Sequence, residues 1–214
     1  MGTSGRTPAR DGPRAGVLAE AWFARPAEEV ARGLLGATLV SCIDGHETVG
    51  RIVETEAYIG PHDPASHAAE RIGRTARNDA MFGRPGTAYV YRIYGVHWCL
   101  NVVTDQPDFP AAVLIRALEP THGLDVMRAR RSAGQKHLTD RALASGPGRL
   151  AAAIGVSGDH DGHPLDRPPL WLEAGGPSDA PIRSGPRIGV TRAADWPLRF
   201  WIADCPWVSR TRRI

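Results

Sequence analysis

Lysine is almost missing from this chain of 214 residues: of 26 cationic side chains, 25 are arginine and only Lys136 is lysine. A lone lysine in a polar stretch leaves no obvious amine nucleophile, which argues against Schiff-base chemistry. A GC-rich coding sequence explains the bias, since Ala, Gly and Pro are abundant as well. The physical consequence is the same either way, because arginine grips phosphates as a planar fork and stacks on rings. Cysteine is also scarce. Cys42, Cys99 and Cys205 are odd in number and show no CxxC spacing, which argues against a disulfide framework or zinc ribbon and favours a reducing compartment. No apolar run approaches the ~20 residues of a membrane helix. The opening MGTSGRTPARDGPRAG lacks the apolar stretch of a secretory leader. The net charge of +3 is too small to name a partner.

What is present is an ordinary globular composition, 42% hydrophobic, enough for one core and one domain. Residues 1–15 read as a flexible basic tail. Pro26 opens a helix whose Val30, Leu34 and Leu35 repeat at helical spacing, with Gly36 as its stop. Residues 37–43 and 48–59 read as a hairpin of two strands. Residues 60–86, rich in Pro and Gly, read as a long irregular loop with room for one short helix, a length that usually carries function. Residues 87–104 read as two strands around a tight Tyr94-Gly95 turn, and 111–118 as a buried strand. Residues 123–131 and 140–155 read as helices, and 169–174, 186–191 and 197–203 as short strands. The expected fold is one α+β domain, a largely antiparallel β-sheet core with flanking helices and a protruding β-hairpin.

All four tyrosines lie between positions 58 and 94. Tyr89 and Tyr91 share a strand face. Tyr89 reads as core packing, whereas Tyr94, at the turn, reads as an exposed contact residue. Glu54, Glu56 and Tyr58 also alternate onto one face, opposite Val53, Thr55 and Ala57. Two carboxylates on a half-buried face are costly unless an arginine pairs with them, and paired carboxylates are a device of glycosidic hydrolysis. His62, Asp63 and His67 do not have metal-ligand spacing and Pro64 interrupts them. The DHDGH stretch around His160 and His163 reads as a turn. The loop arginines Arg71, Arg74, Arg77 and Arg84 border this cluster in sequence.

RIVETEAYIGPHDPASH, RTARN, MFGRPGTAYVYRIYGVHWCLNV and VLIRALEP, followed more weakly by SGPGRL, PRIGV, PLRFW and CPWVS, resemble in order the alkyladenine (3-methyladenine) DNA glycosylases. The likeness runs from about residue 17 onward, so 16–214 would be the catalytic domain. It implies a monofunctional glycosylase of base excision repair that flips alkylated, and also deaminated, purines out of double-stranded DNA and cuts the N-glycosidic bond without metal or cofactor. It further implies a cytoplasmic monomer with no membrane association. By the same resemblance Glu56 is the general base, and Arg116 and the Ile188 carbonyl help hold the attacking water. Tyr58, His67 and Tyr91 wall the base pocket, and Asn101 guards it against the exocyclic amino group of guanine. Tyr94 is the wedge of a DNA-inserting hairpin, and Arg77, with Arg74, meets the DNA backbone. Glu54 is expected to be structural, paired to an arginine. The chain departs from the family pattern at Val96, His97 and Trp98 and in the 104–112 connection. Two rival readings are a non-catalytic damaged-DNA-binding protein using the same hairpin, and a glycosidase acting on small nucleosides.

Overall fold

The computed structural model describes residues 16–131, 138–176 and 180–209. The expected tail at 1–15 and Lys136 lie outside them. Two long antiparallel strands, β2 (Thr48–Tyr58) and β5 (Ala111–His122), form the spine of one curled sheet. The hairpin of β3 (Ala88–Ile93) and β4 (His97–Thr104) extends it beyond β5. On its other edge β2 pairs first with β1 (Thr38–Ser41), through Thr48–Arg51, and then with β9 (Arg199–Ile202), through Glu54–Glu56. Strand β7 (Leu170–Glu173) adds to β1 and β6 (Asp166–Arg167) to β7, while β8 (Ile182–Gly185) adds to β9. Every strand pairing among the described residues is antiparallel, and the α+β expectation holds.

Helices α1 (Glu20–Phe23) and α2 (Ala27–Gly33) come first, and Pro26 caps α2 as expected. Val30, Ala31 and Leu34 are fully buried against β2 and β5. Helix α3 (Leu124–Arg131) follows β5, and then α4 (Asp140–Leu143) and α5 (Pro147–Ile154). Removing a fully buried leucine such as Leu34 or Leu150 to alanine costs about 2–5 kcal/mol. No helix among the described residues is long and apolar enough to cross a membrane, and none of the three cysteines forms a disulfide.

Two expected elements are corrected. The single helix over 140–155 is broken at Ala144–Gly146. There the Leu118 amide donates to the Ala144 carbonyl at 3.1 Å, and the Gly146 amide donates to the Arg116 carbonyl at 3.0 Å. Strand β4 pairs with β5 only through Ala111–Leu114, so on that edge the backbone groups of Arg116 and Leu118 face no strand. This short segment satisfies them, and Pro147 restarts the helix. The strand expected over 186–191 is instead an irregular stretch containing a left-handed Gly189 (φ +80°), and the strand lies just before it, at 182–185. The 60–86 loop is irregular as read, with one 3-10 turn at Asp79–Phe82.

Candidate active site

The curl of the sheet gathers β2, β3, β4, β5, the 60–86 loop and the 186–191 stretch around a cavity of about 500 Å³. Its wall carries Tyr58, His67, Tyr91, Asn101, Arg116 and Ile188, with Tyr94 and Arg77 at the rim. Glu56 lies behind this wall, fully buried. The expected site residues are therefore brought together, except that Arg74 stands apart from the cavity lining. It is exposed and held by Asp79 at 2.7 Å and Asp108 at 3.2 Å.

Glu56 is the electrostatic centre. Its Oε1 accepts from the Ile188 amide at 2.6 Å and faces Arg116 Nη1 at 3.1 Å. Its Oε2 accepts from the Tyr58 hydroxyl at 3.2 Å. Burial pushes the Glu56 carboxyl above its ordinary value of 4.5, against the opposing pull of Arg116 and the Ile188 amide, while the charge of Glu54 pushes the same way as burial. The result is a stronger base than a solvated glutamate. Burial also raises the Tyr58 phenol well above its usual range, followed by the Glu56 charge, so it stays a donor to Glu56. The Ile188 amide and the Arg116 charge act on Oε1 and the Tyr58 hydroxyl on Oε2, and a carboxylate oxygen accepts from two donors, so Oε2 can take a further one.

The aromatic wall is rigid. Tyr89 and Tyr91 stack with ring centroids 5.4 Å apart, and the His67 ring meets the Tyr91 ring edge-on at 4.4 Å. His67 Nδ1 and the Tyr89 hydroxyl share a hydrogen bond at 2.9 Å. Tyr89 is buried, as read, and also lines the cavity beside Tyr91. Burial lowers the His67 imidazole and Arg77 lowers it further, which keeps it neutral at pH 7. Asn101 is buried and donates through Nδ2 to the Tyr89 carbonyl at 2.9 Å, leaving its side-chain oxygen as an acceptor. On the hairpin, Tyr94 (φ +53°) and Gly95 (φ +70°) both take the left-handed backbone that tight hairpin turns require. Tyr94 is 84% exposed and Val96 66%.

A scan against protein-family models matches residues 21–206 to Methylpurine-DNA glycosylase (MPG). The chain belongs to the methylpurine-DNA glycosylase family. Curated relatives agree. It is 50% identical over 194 residues to a protein of Rhodopseudomonas palustris (strain HaA2), covering 90% of each chain. It is 48% identical over 200 residues to one of Bradyrhizobium diazoefficiens, covering 92% of this chain and 94% of the relative. It is 49% identical over 197 residues to one of Myxococcus xanthus, covering 90% and 93%. All three bear the name "Putative 3-methyladenine DNA glycosylase".

Within this methylpurine-DNA glycosylase chain, several supports of the site escape a reading of the sequence. Arg187 lies over the Tyr58 ring at 4.7 Å, donates to the Ala57 carbonyl, and forms a fully buried pair with Asp63. Asp63 is thus a strut rather than a loose loop acid. Asn78 has all four of its amide positions filled, donating to the His67 and Gly73 carbonyls and accepting from the Thr75 amide and hydroxyl. The RTARN run contains this residue, but nothing local marks its role. Arg71 and Arg192 also reach the cavity rim, and of the two only Arg71 stands out in the sequence.

Proposed function

We propose that the protein is a monofunctional DNA glycosylase that hydrolyses the N-glycosidic bond of 3-methyladenine-type alkylated purines, and also of deaminated purines, flipped out of duplex DNA. The observation that carries this reading is a fully buried carboxylate, Glu56, held by Arg116 and the Ile188 amide behind a cavity walled by tyrosine rings. A water on the open position of Oε2 attacks C1′ of the flipped nucleotide, oriented by Arg116 and the carbonyl of Ile188. The C1′–N bond breaks, its electron pair stays on the base nitrogen, and the water proton passes to Glu56. A base that was cationic leaves neutral, and a neutral deaminated base must in addition take up a proton as it leaves. The ionised carboxylate also stabilises the positive charge that develops on the sugar.

Recognition follows from the wall. A cationic alkylpurine between Tyr91 and Tyr58 gains cation–π attraction of roughly 0.5–2 kcal/mol, and the neutral His67 adds no repelling charge. The Asn101 side chain stands where an exocyclic amino group would crowd it. Tyr94, on a hairpin whose turn is already set, fills the gap left in the stack. Arg71, Arg77 and Arg192 at the rim meet the phosphates flanking the flipped nucleotide, and Arg74 joins them when it leaves Asp79 and Asp108. The protein acts as a monomer on this substrate. Neither rival accounts for the whole arrangement: binding alone has no use for the Glu56 centre, and a nucleoside hydrolase has none for Tyr94.

The test is release of 3-methyladenine from methylated duplex DNA. Wild type releases it and Glu56→Gln, still folded and still binding the duplex, does not. Equal release by the two proteins would falsify the mechanism.

A further inference from the structure

Glu54 is a buried carboxylate that the mechanism above leaves unused and that shares an arginine with the base. It lies on β2, two residues from the base, and is fully buried. Its Oε1 receives Arg116 Nε at 3.1 Å, Arg199 Nε at 2.6 Å and the Ser209 hydroxyl at 2.9 Å. Its Oε2 receives the Ser209 amide at 2.7 Å. Arg116 thus presents Nε to Glu54 and Nη1 to Glu56, so one planar guanidinium spans both carboxylates. A planar fork gripped at one edge has its other edge fixed in direction.

We propose that Glu54 is a positioning residue for the reaction: it aims the Arg116 guanidinium at Glu56 and sets how much of that guanidinium's charge the base feels. The proposal rests on the glycosylase reading above. Two arginines of β5 and β9 and one serine of the CPWVS segment converge on a carboxylate that stays 0% exposed. Of these partners Arg116 is the one that also reaches Glu56, so what fixes Glu54 fixes the arginine beside the base. Here the second, Arg199, contacts Glu54 from β9 and shares its charge. The CPWVS segment is thereby tied to the base through Ser209, Glu54 and Arg116.

The groups acting on Glu56 define the expected signs. Facing it are Arg116 of β5, Tyr58 and Glu54 of its own strand, Tyr91 of β3, Cys99 of β4, and Arg187 with the Ile188 amide of the 186–191 stretch. Glu54 opposes ionisation of Glu56 directly, and it draws Arg116 charge away from it. Glu54→Gln removes both charge effects while its side-chain oxygen can still accept from Arg116 Nε and keep that arginine beside the base, so Glu56 ionises more readily. Arg199→Gln does the reverse, because the whole Glu54 charge then falls on Arg116.

Single-turnover release of 3-methyladenine from methylated duplex DNA, followed against pH, separates these cases. The substrate carries a permanent positive charge, so the acidic limb reports on the enzyme. Glu54→Gln should move that limb to lower pH by about one pH unit and slow release at pH 7 at least tenfold. Arg199→Gln should move it to higher pH. Ser209→Ala keeps every charge, so the limb stays in place, while release slows about threefold with unchanged affinity for the duplex. Glu54→Asp should restore the limb position without restoring the full rate. Folded Glu54→Gln or Arg199→Gln with the wild-type limb overturns the proposal. If neither variant folds, wild-type release by Ser209→Ala overturns it. Failure of wild type to release any base would instead remove the glycosylase reading itself.

Discussion

At the scale of the residue, the site stores its chemistry as an unfavourable burial. A carboxylate raised above 4.5 by desolvation takes up a proton more readily in the folded chain than in the unfolded one. Stability contributed by protonated Glu56 is therefore present below about pH 4.5 and lost as pH rises through the folded value. Glu56→Gln should abolish base release, yet match or exceed wild type in thermal stability at pH 7–8. The difference in Tm should shrink as pH falls towards 4.5, and a variant clearly less stable at neutral pH would show that Glu56 is held mainly by its partners. The local pattern VETEAY places Glu54, Glu56 and Tyr58 together because strand side chains alternate. Their partners are out of reach of such a rule: Ile188 is 132 residues from Glu56, and Ser209 is 155 from Glu54. Glu54, expected to pair with an arginine that the sequence does not name, finds two, Arg199 at 2.6 Å and Arg116 at 3.1 Å.

At the scale of the element, what can be read is what is decided locally. Pro26 and the apolar spacing mark α2, although it ends at Gly33, before the expected stop at Gly36, and Tyr94-Gly95 between alternating apolar residues marks the hairpin. The break at Ala144–Gly146 does carry a local signal, Gly146-Pro147, which ends one helix and starts the next; apolar spacing that continues through it masks that signal, and the edge of β5 that it pairs with is out of local reach. The same holds for 186–191, whose apolar pattern looks like a strand although Arg187 and Ile188 are drawn inward to Asp63 and Glu56. The 60–86 loop is recognisable as irregular from its prolines and glycines, but what holds it is not. Asn78→Ala removes four hydrogen bonds from a buried amide and leaves carbonyls of His67 and Gly73 unmatched. It should cost about 2–4 kcal/mol, and faster amide exchange within 60–86 than in β2 or β5 would localise the loss. Tyr94→Ala should behave oppositely. Its side chain is exposed, so Tm should change little, while fluorescence of a reporter base beside the lesion should show less flipping.

At the scale of the whole molecule, a net charge of +3 is compatible with DNA binding because the cations that matter share one rim. Arg77 leans over the Tyr91 ring at 5.9 Å and touches the Arg92 carbonyl, with no carboxylate partner among the described residues to screen it. Arg74 lies on the same loop but between Asp79 and Asp108. Each phosphate that a variant no longer neutralises should reduce the slope of log affinity against log salt by roughly 0.9. Arg77→Ala should show that reduction and weaken methylated and unmodified duplex alike, with little change in release at saturating enzyme. Arg74→Ala should change the slope less, since its charge is already neutralised in the free protein and must be freed before it can meet a phosphate. Its exposed ion pairs are worth about 0–1 kcal/mol each, so stability should fall only slightly. Equal slopes for the two variants would mean that binding DNA pulls Arg74 from its carboxylates at no measurable cost. Isothermal binding at four or five salt concentrations, with one undamaged and one methylated duplex, measures the affinities and slopes together. It then separates the arginines that hold the backbone from those that hold the loop.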